Sequence, residues 1–174
     1  MIDETARLRL LPYSPAHLLA LVEGYGPFAR AFGLPGAEGL RDFVVSSEVS
    51  PAWLDQLRHS TAVEPWRHGF AVVHRGDQLV IGNASFTGPP GTDRVVEIAY
   101  GIVNAYQGRG YATEAAQWLV GFAFATDAVD VVRAHTLPVP NASTRVLTKC
   151  GFSMVGEVVH PEDGRVWRWE RGRG

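Results

Sequence analysis

Asn104-Ala105-Tyr106-Gln107-Gly108-Arg109-Gly110-Tyr111-Ala112 joins a stretch of alternating side chains, Val95 to Val103, to an amphipathic run from Gly108 to about Ala125. In that run apolar residues recur as Ala112, Ala115, Ala116, Leu119, Phe122 and Ala123, the spacing of one helical face. A glycine-containing turn between a strand and a helix aims several free backbone N–H groups, together with the helix dipole, at one point in space. The turn therefore reads as an anion site. Gly108 and Gly110 let the backbone approach a phosphate without a Cβ in the way, and Arg109 adds a mobile positive charge beside it.

Working outward, the preceding strand has two unlike faces. Val96, Ile98, Tyr100 and Ile102 are bulky, whereas Glu97, Ala99 and Gly101 are small or charged and leave room for something to lie against them. Further upstream, a strand at Phe70 to His74, a turn at Gly76-Asp77, a strand from Leu79 to Phe86 and a loop at Gly88-Pro89-Pro90-Gly91 predict an antiparallel meander. Thr5 to Leu11 alternates as a half-buried strand ending at Pro12; Ser14 and Pro15 open a helix with Leu18, Leu19 and Val22 on one stripe, ended by Gly24 and Gly26. From Tyr25 to Pro65 the pattern weakens, apart from a short helix at Pro51 to His59. Downstream, Val129 to His135 reads as a strand, Asn141 to Cys150 as a helix closed by Gly151, Phe152 to Val159 as a strand and Val166 to Trp169 as the last, after an Asp163-Gly164 turn. A block of strands followed by strand-helix-strand-helix-strand gives the class α+β rather than a doubly wound parallel sheet.

Composition narrows the function. The 174 residues, 46% apolar and 20% charged, suit one domain over 1–174. A formal charge of −2, with Lys+Arg 16 against Asp+Glu 18, lacks the basic excess of nucleic-acid binding. No apolar run approaches the roughly 18 residues of a membrane span, and the acidic start Met-Ile-Asp-Glu is not that of a signal peptide, so a cytoplasmic protein is expected. The six histidines and single cysteine show no metal-ligand spacing, so no metal is expected. Cys150 reads as a small buried hydrophobe, not a nucleophile.

The ligand of the anion turn is narrowed by what is missing. There is no Gly-Lys-Ser/Thr of a nucleotide hydrolase, and Thr113 stands where a dinucleotide fingerprint needs its third glycine. The pattern Gln107-x-x-Gly110-x-Ala112 after Val96-Glu97-Ile98-Ala99-Tyr100-Gly101-Ile102 instead resembles the coenzyme A pyrophosphate loop of the GNAT acetyltransferase superfamily. A second stretch agrees: His135 to Phe152, with Pro140-Asn141-Ala142-Ser143 and Gly151-Phe152, is similar to the RimJ/RimL-type branch. The resemblance covers the chain from about Thr5 onward.

The resemblance implies a three-layer α/β/α fold around a mixed, mostly antiparallel sheet of about six to seven strands. It implies direct transfer of an acetyl group from acetyl-CoA, as co-substrate, to an amine acceptor, either a small molecule or a protein N-terminus. Glu97 matches a strand carboxylate that acts as general base in some members, the role an attacking amine requires; a solvated carboxylate or salt-bridge partner is the alternative. A backbone N–H at Ile102 or Val103 would stabilise charge on the thioester oxygen, with the pantetheine arm along the same edge. Gln107, Gly108, Arg109, Gly110, Tyr111 and Ala112 would hold the pyrophosphate. Leu147 stands where many members place a tyrosine acid; the RimJ/RimL-like resemblance implies Ser143 as the proton donor, with Asn141 and Ser143 as cofactor contacts, and the alternatives are an N-cap Asn, a first-turn Ser and a thiolate that needs no protein acid.

Two further readings remain, a non-catalytic acyl-CoA-binding module and a nucleotide-binding protein, along with a monomeric or homodimeric state. Acceptor choice falls to Tyr25–Pro65 and the Val159–Val166 loop, where Phe28, Phe32, Trp53 and Trp167 line a pocket or pack the core.

Overall fold

The computed structural model describes residues 3–45 and 49–174. Seven strands form one sheet in the order β1-β2-β3-β4-β5-β7-β6: β1 (Leu8–Pro12), β2 (Phe70–His74), β3 (Leu79–Phe86), β4 (Val95–Ile102), β5 (Val131–Thr136), β6 (Ser153–His160) and β7 (Gly164–Gly172). Every pairing is antiparallel except β4 with β5. The helices are α1 (Pro15–Glu23), α2 (Tyr25–Phe32), α3 (Pro51–His59), α4 (Pro65–His68), α5 (Tyr111–Phe124) and α6 (Ala142–Lys149).

Alternation along the strands decides which layer each side chain meets. On β3, Ala84 and Phe86 turn toward α5, where Phe70, Phe86, Trp118 and Phe122 pack ring against ring at centroid distances of 4.7 to 5.7 Å. Asn83 and Ser85 turn the other way, toward α1 and α2, where the Tyr13 hydroxyl donates to Asn83 Oδ1 at 2.6 Å and Tyr13 packs on Phe28. Three layers result, as the family resemblance implies.

The departures from expectation have local causes. β1 starts at Leu8, not Thr5, because the Thr5 N–H donates to the Leu8 carbonyl and folds that segment back. Gly26 does not end α1; Gly24 caps it and Gly26 lies in the first turn of α2, a helix hidden by its Gly and Pro and closed by Gly33 at φ +93°. The Val159–Val166 segment is not a loop but mostly strand, since β6 runs to His160 and β7 begins at Gly164. Phe28 and Phe32 belong to the core, as does the inner part of Trp167.

Gly82 marks the tightest approach in the sheet. A Cβ there would come within 2.2 Å of the Gly101 carbonyl oxygen on β4, a backbone atom that cannot move alone. Gly82→Ala is expected to cost about 2–3 kcal/mol and to lower Tm by roughly 5–10 °C. Gly121→Ala is the control: it sits exposed in α5 with nothing within 4 Å of the added Cβ, and should stabilise by about 0.5–1 kcal/mol. Thermal melts of both variants check the pair.

Candidate functional site

The site follows from where β4 and β5 stay together and where they part. Their parallel pairing covers Val95, Val96 and Glu97 against Val131, Val132 and Arg133 and goes no further, while β4 stays paired with β3 as far as Ile102. The Val103 N–H donates to the Ile81 carbonyl at 2.8 Å and the Thr87 N–H to the Glu97 carbonyl at 2.9 Å. Antiparallel alternation then turns the backbone groups of Tyr100 and Ile102 away from β3, into the gap that opens toward β5. Of the two expected backbone donors, Ile102 therefore has its N–H on the open edge, and Val103 is corrected: its N–H is spent inside the sheet and its side chain is buried.

At the far end of that edge the chain turns into α5. Gly108 and Gly110 hold φ of +77° and +85°, so both glycines are required by the backbone itself. Gly110 is the N-cap and no side chain caps it, which leaves the first-turn N–H groups of α5 facing outward. Gln107 closes the turn by donating from Nε2 to the Ile102 carbonyl at 2.8 Å. Tyr111 points inward: its hydroxyl meets His74 Nε2 at 2.9 Å and Arg7 lies over its ring at 4.3 Å, while Arg7 also pairs with Glu114. Arg109 is exposed beside the Tyr106 ring.

These parts border a cleft of about 480 Å³ between the turn and α6. Tyr100, Ile102, Gln107, Gly108, Gly110 and Ala112 line one side, and Ser143, Arg145 and Lys149 the other. Ser143 is hydrogen-bonded to Tyr100, whose phenol is pushed well above its ordinary value by burial and stays protonated. Asn141 does not reach the cleft lining: its Oδ1 accepts from the Thr144 N–H at 3.0 Å and its own N–H donates to Thr144 Oγ1, a reciprocal cap of α6. Leu147 is fully buried, and Cys150 is buried with its thiol pushed up by desolvation.

Glu97 occupies the last paired position before the strands part. Its Oε1 lies 2.9 Å from Nδ1 of His135 on β5, a residue the sequence reading passed over because the contact exists only through the parallel register. Arg168 on β7 donates from Nε to His135 Nε2 at 3.1 Å, which needs a lone pair there and so places the ring proton on Nδ1, facing the carboxylate. Burial holds His135 below its ordinary value, opposed by Glu97 and aided by Arg168, so the ring is neutral.

An open strand edge that ends in an uncapped helix N-terminus suits a long ligand with an anionic end, and the match to known proteins has that character. The family model for the acetyltransferase (GNAT) domain matches residues 7–153. The chain belongs to the GNAT acetyltransferase family. An uncharacterized N-acetyltransferase of Bacillus subtilis, YjdG, is 27% identical over 81 residues, 47% of this chain and 48% of that protein, so the match spans about half the length of this curated relative. Among solved structures, RimL, a ribosomal L7/L12 alpha-N-protein acetyltransferase in complex with coenzyme A, is 16% identical with a TM-score of 0.68, covering 98% of this chain and 97% of that one. A spermidine N-acetyltransferase chimera from Vibrio cholerae and hSSAT is 15% identical, also with a TM-score of 0.68, covering 96% of each chain. These likenesses show the GNAT fold.

Among the described residues, no group of three or more His, Cys, Asp or Glu is placed to hold a metal ion, and no helix is long and apolar enough to cross a membrane. Three buried or half-buried histidines give the fold a pH signature. Desolvation lowers His17, His68 and His135 beneath their ordinary value. Between those lowered values and about 6.5 the unfolded chain binds more protons than the folded one, so stability falls with acidification through that window. Tm is expected to drop steadily as pH goes from about 7 to about 5, before carboxylates titrate; a flat profile there would refute the neutral assignment.

Proposed function

We propose that this GNAT protein, acting as a single acetyltransferase domain over 1–174, moves the acetyl group of acetyl-CoA directly to a primary amine while both are bound. The supporting observation is the free β4 edge: it begins at a carboxylate, Glu97, and ends at an uncapped helix N-terminus with two positive-φ glycines. The residues fit the co-substrate, because a phosphate needs the N–H groups and Cβ-free approach that Gly108 and Gly110 provide, and an amide-containing arm needs an unpaired strand edge such as that at Tyr100 and Ile102. Acetyl-CoA supplies the activated thioester.

The rest falls to the chain. Gln107 to Ala112 hold the pyrophosphate, with Arg109, Arg145 and Lys149 adding positive charge at the lips of the cleft. The Ile102 N–H stabilises negative charge on the thioester oxygen during attack. Glu97 removes the proton from the attacking ammonium, held in place by the Nδ1–H of His135. Ser143, tied to the protonated Tyr100, returns a proton to the departing thiolate. Neither a metal nor a covalent acyl-enzyme is used, and buried Cys150 takes no part.

Incubation of the full chain with acetyl-CoA and a panel of primary amines, followed by thiol release and mass detection of acetylated amine, tests this reading. Amine-dependent release with coenzyme A binding supports it. Binding without turnover of any amine would make the chain a binding module, and stabilisation by ATP or NAD but not coenzyme A would make it a nucleotide binder.

A further inference from the structure

Arg133 on β5 stands between two carboxylates. In the parallel register it is paired with Glu97 on β4, and in the antiparallel register with Glu170 on β7. Paired residues of neighbouring strands project from the same face of a sheet, with the strands roughly 4.8 Å apart, so an arginine at this position has the reach for either partner. It goes wholly to Glu170: Nε donates to Oε2 at 2.8 Å, and Nη2 lies 2.7 Å from the same oxygen. The side chains of Arg133, Glu170 and Glu97 are each only 26 to 28% exposed, so the choice of partner is made mostly out of water, where an ionic contact counts for more than on an open surface.

The second cation of this sheet face is diverted in the same way. Arg168 on β7 is paired with His135 in register and donates to its Nε2 at 3.1 Å. His135 in turn stands 2.9 Å from Glu97 and meets the ring of His160 on β6 in a T-shaped contact, at a centroid distance of 5.7 Å. Around Glu97 there are thus a neutral histidine, a guanidinium held by Glu170 and a guanidinium held by that histidine. Among the described residues, Glu97 makes no ion pair with an Arg or Lys.

For a base this matters. A guanidinium within about 4–6 Å favours the charged form of a carboxylate, and a carboxylate so favoured takes up a proton less readily. General-base catalysis depends on that uptake. We propose that Glu170 is a positioning residue of the reaction: by holding Arg133 it keeps the Glu97 carboxylate free of a cation, and so able to take the proton of the acceptor's ammonium group. In that step the ammonium N–H bond breaks, its electron pair stays on nitrogen for attack on the thioester, and the proton goes to Glu97. Glu170 lies two strands from Glu97 and acts through Arg133. This role rests on the acetyl-transfer reading above, with Glu97 as base.

Glu170→Gln removes the charge at nearly the same shape. Arg133 then has one carboxylate left beside its strand position, and a mostly buried guanidinium between a neutral amide and an anion turns to the anion. The full chain is compared as wild type, Glu170→Gln, Arg133→Gln and the double variant Arg133→Gln/Glu170→Gln, each with acetyl-CoA and a primary amine that the wild type acetylates, over a range of pH around neutral. Glu170→Gln alone is expected to lower kcat/KM about tenfold near pH 7 and to move the low-pH limb of the profile down by about one unit or more. Arg133→Gln and the double variant carry no guanidinium at this position and are expected to stay within about threefold of the wild type, so that the second substitution restores what the first removes. Thermal melts and calorimetric titration with coenzyme A, expected to be alike for all four chains, separate this effect from damage to the fold. A merely structural ion pair predicts the opposite order, with the double variant at least as impaired as Glu170→Gln. That order, or a Glu170→Gln chain with the wild-type rate and limb, would overturn the role of Glu170 while acetyl transfer stands. No acetylation of any amine by a chain that binds coenzyme A would overturn the acetyl-transfer reading itself, and the role of Glu170 with it.

Discussion

Glu97→Gln is expected to lower kcat/KM for any amine by about 100- to 10,000-fold near neutral pH, the range that removal of a positioned general base produces. The amide is nearly isosteric and its oxygen still faces the His135 Nδ1–H, so the side chain keeps its place. What it loses is the ability to take a proton. An alkyl ammonium near pH 7 is almost wholly protonated, and attack on the thioester waits for that proton to leave. The substitution leaves the β4 edge and the turn at Gly108 and Gly110 untouched, so affinity for acetyl-CoA and Tm should stay near those of the wild type. Calorimetric titration with coenzyme A, steady-state kinetics and a melt separate the outcomes. A variant retaining at least a third of wild-type activity would show Glu97 to be only a structural neighbour of His135.

Gly110→Val is expected to weaken acetyl-CoA binding by about 100-fold. The residue holds φ +85° as N-cap of α5, a conformation that costs a side chain roughly 1–2 kcal/mol. An added Cβ would also sit 3.1 Å from Nη2 of Arg7, which is committed to the Tyr111 ring and to Glu114. Relief requires the turn to shift, which moves the first-turn N–H groups away from the phosphate. Loss of one charge-assisted hydrogen bond is worth about 1.5–3 kcal/mol, tenfold or more in affinity. Two such losses reach the stated effect. Arg109→Ala should do far less, a few-fold at most, because an exposed cation acts through solvent and salt. Equal effects from the two variants would mean that charge, not backbone geometry, holds the anion.

The two substitutions bear on parts of the molecule that differ in how far the sequence discloses them. The turn was legible, since two glycines between a strand and a strongly periodic helix have few other uses, and both adopt positive φ. Helix α3 and strands β2 and β3 follow their side-chain patterns to the residue. Helix α2 was hidden because Gly26 and Pro27 occupy its first turn, where propensity argues against a helix and only packing of Phe28 against Tyr13 compensates. β7 runs past the expected Trp169 because its charged residues there find partners, Glu170 with Arg133 across the sheet and Arg171 with the Cys150 carbonyl. Asn141 and Ser143 stand two positions apart in the sequence, yet one caps α6 through Thr144 and the other meets Tyr100.

By itself the sequence determined the α+β class, the glycine turn at Gln107 to Ala112 and the strand that carries Glu97, because each depends on local periodicity or on backbone freedom at named glycines. Only the tertiary structure decided which backbone donors are free, that His135 faces Glu97, and that Arg133 turns to Glu170 rather than to Glu97. The reason is that strand register and layer packing are set by burial summed over the whole sheet. A hydrogen bond such as Val103 to Ile81, or its absence at Ile102, is a consequence of that sum, and no short stretch of residues contains it.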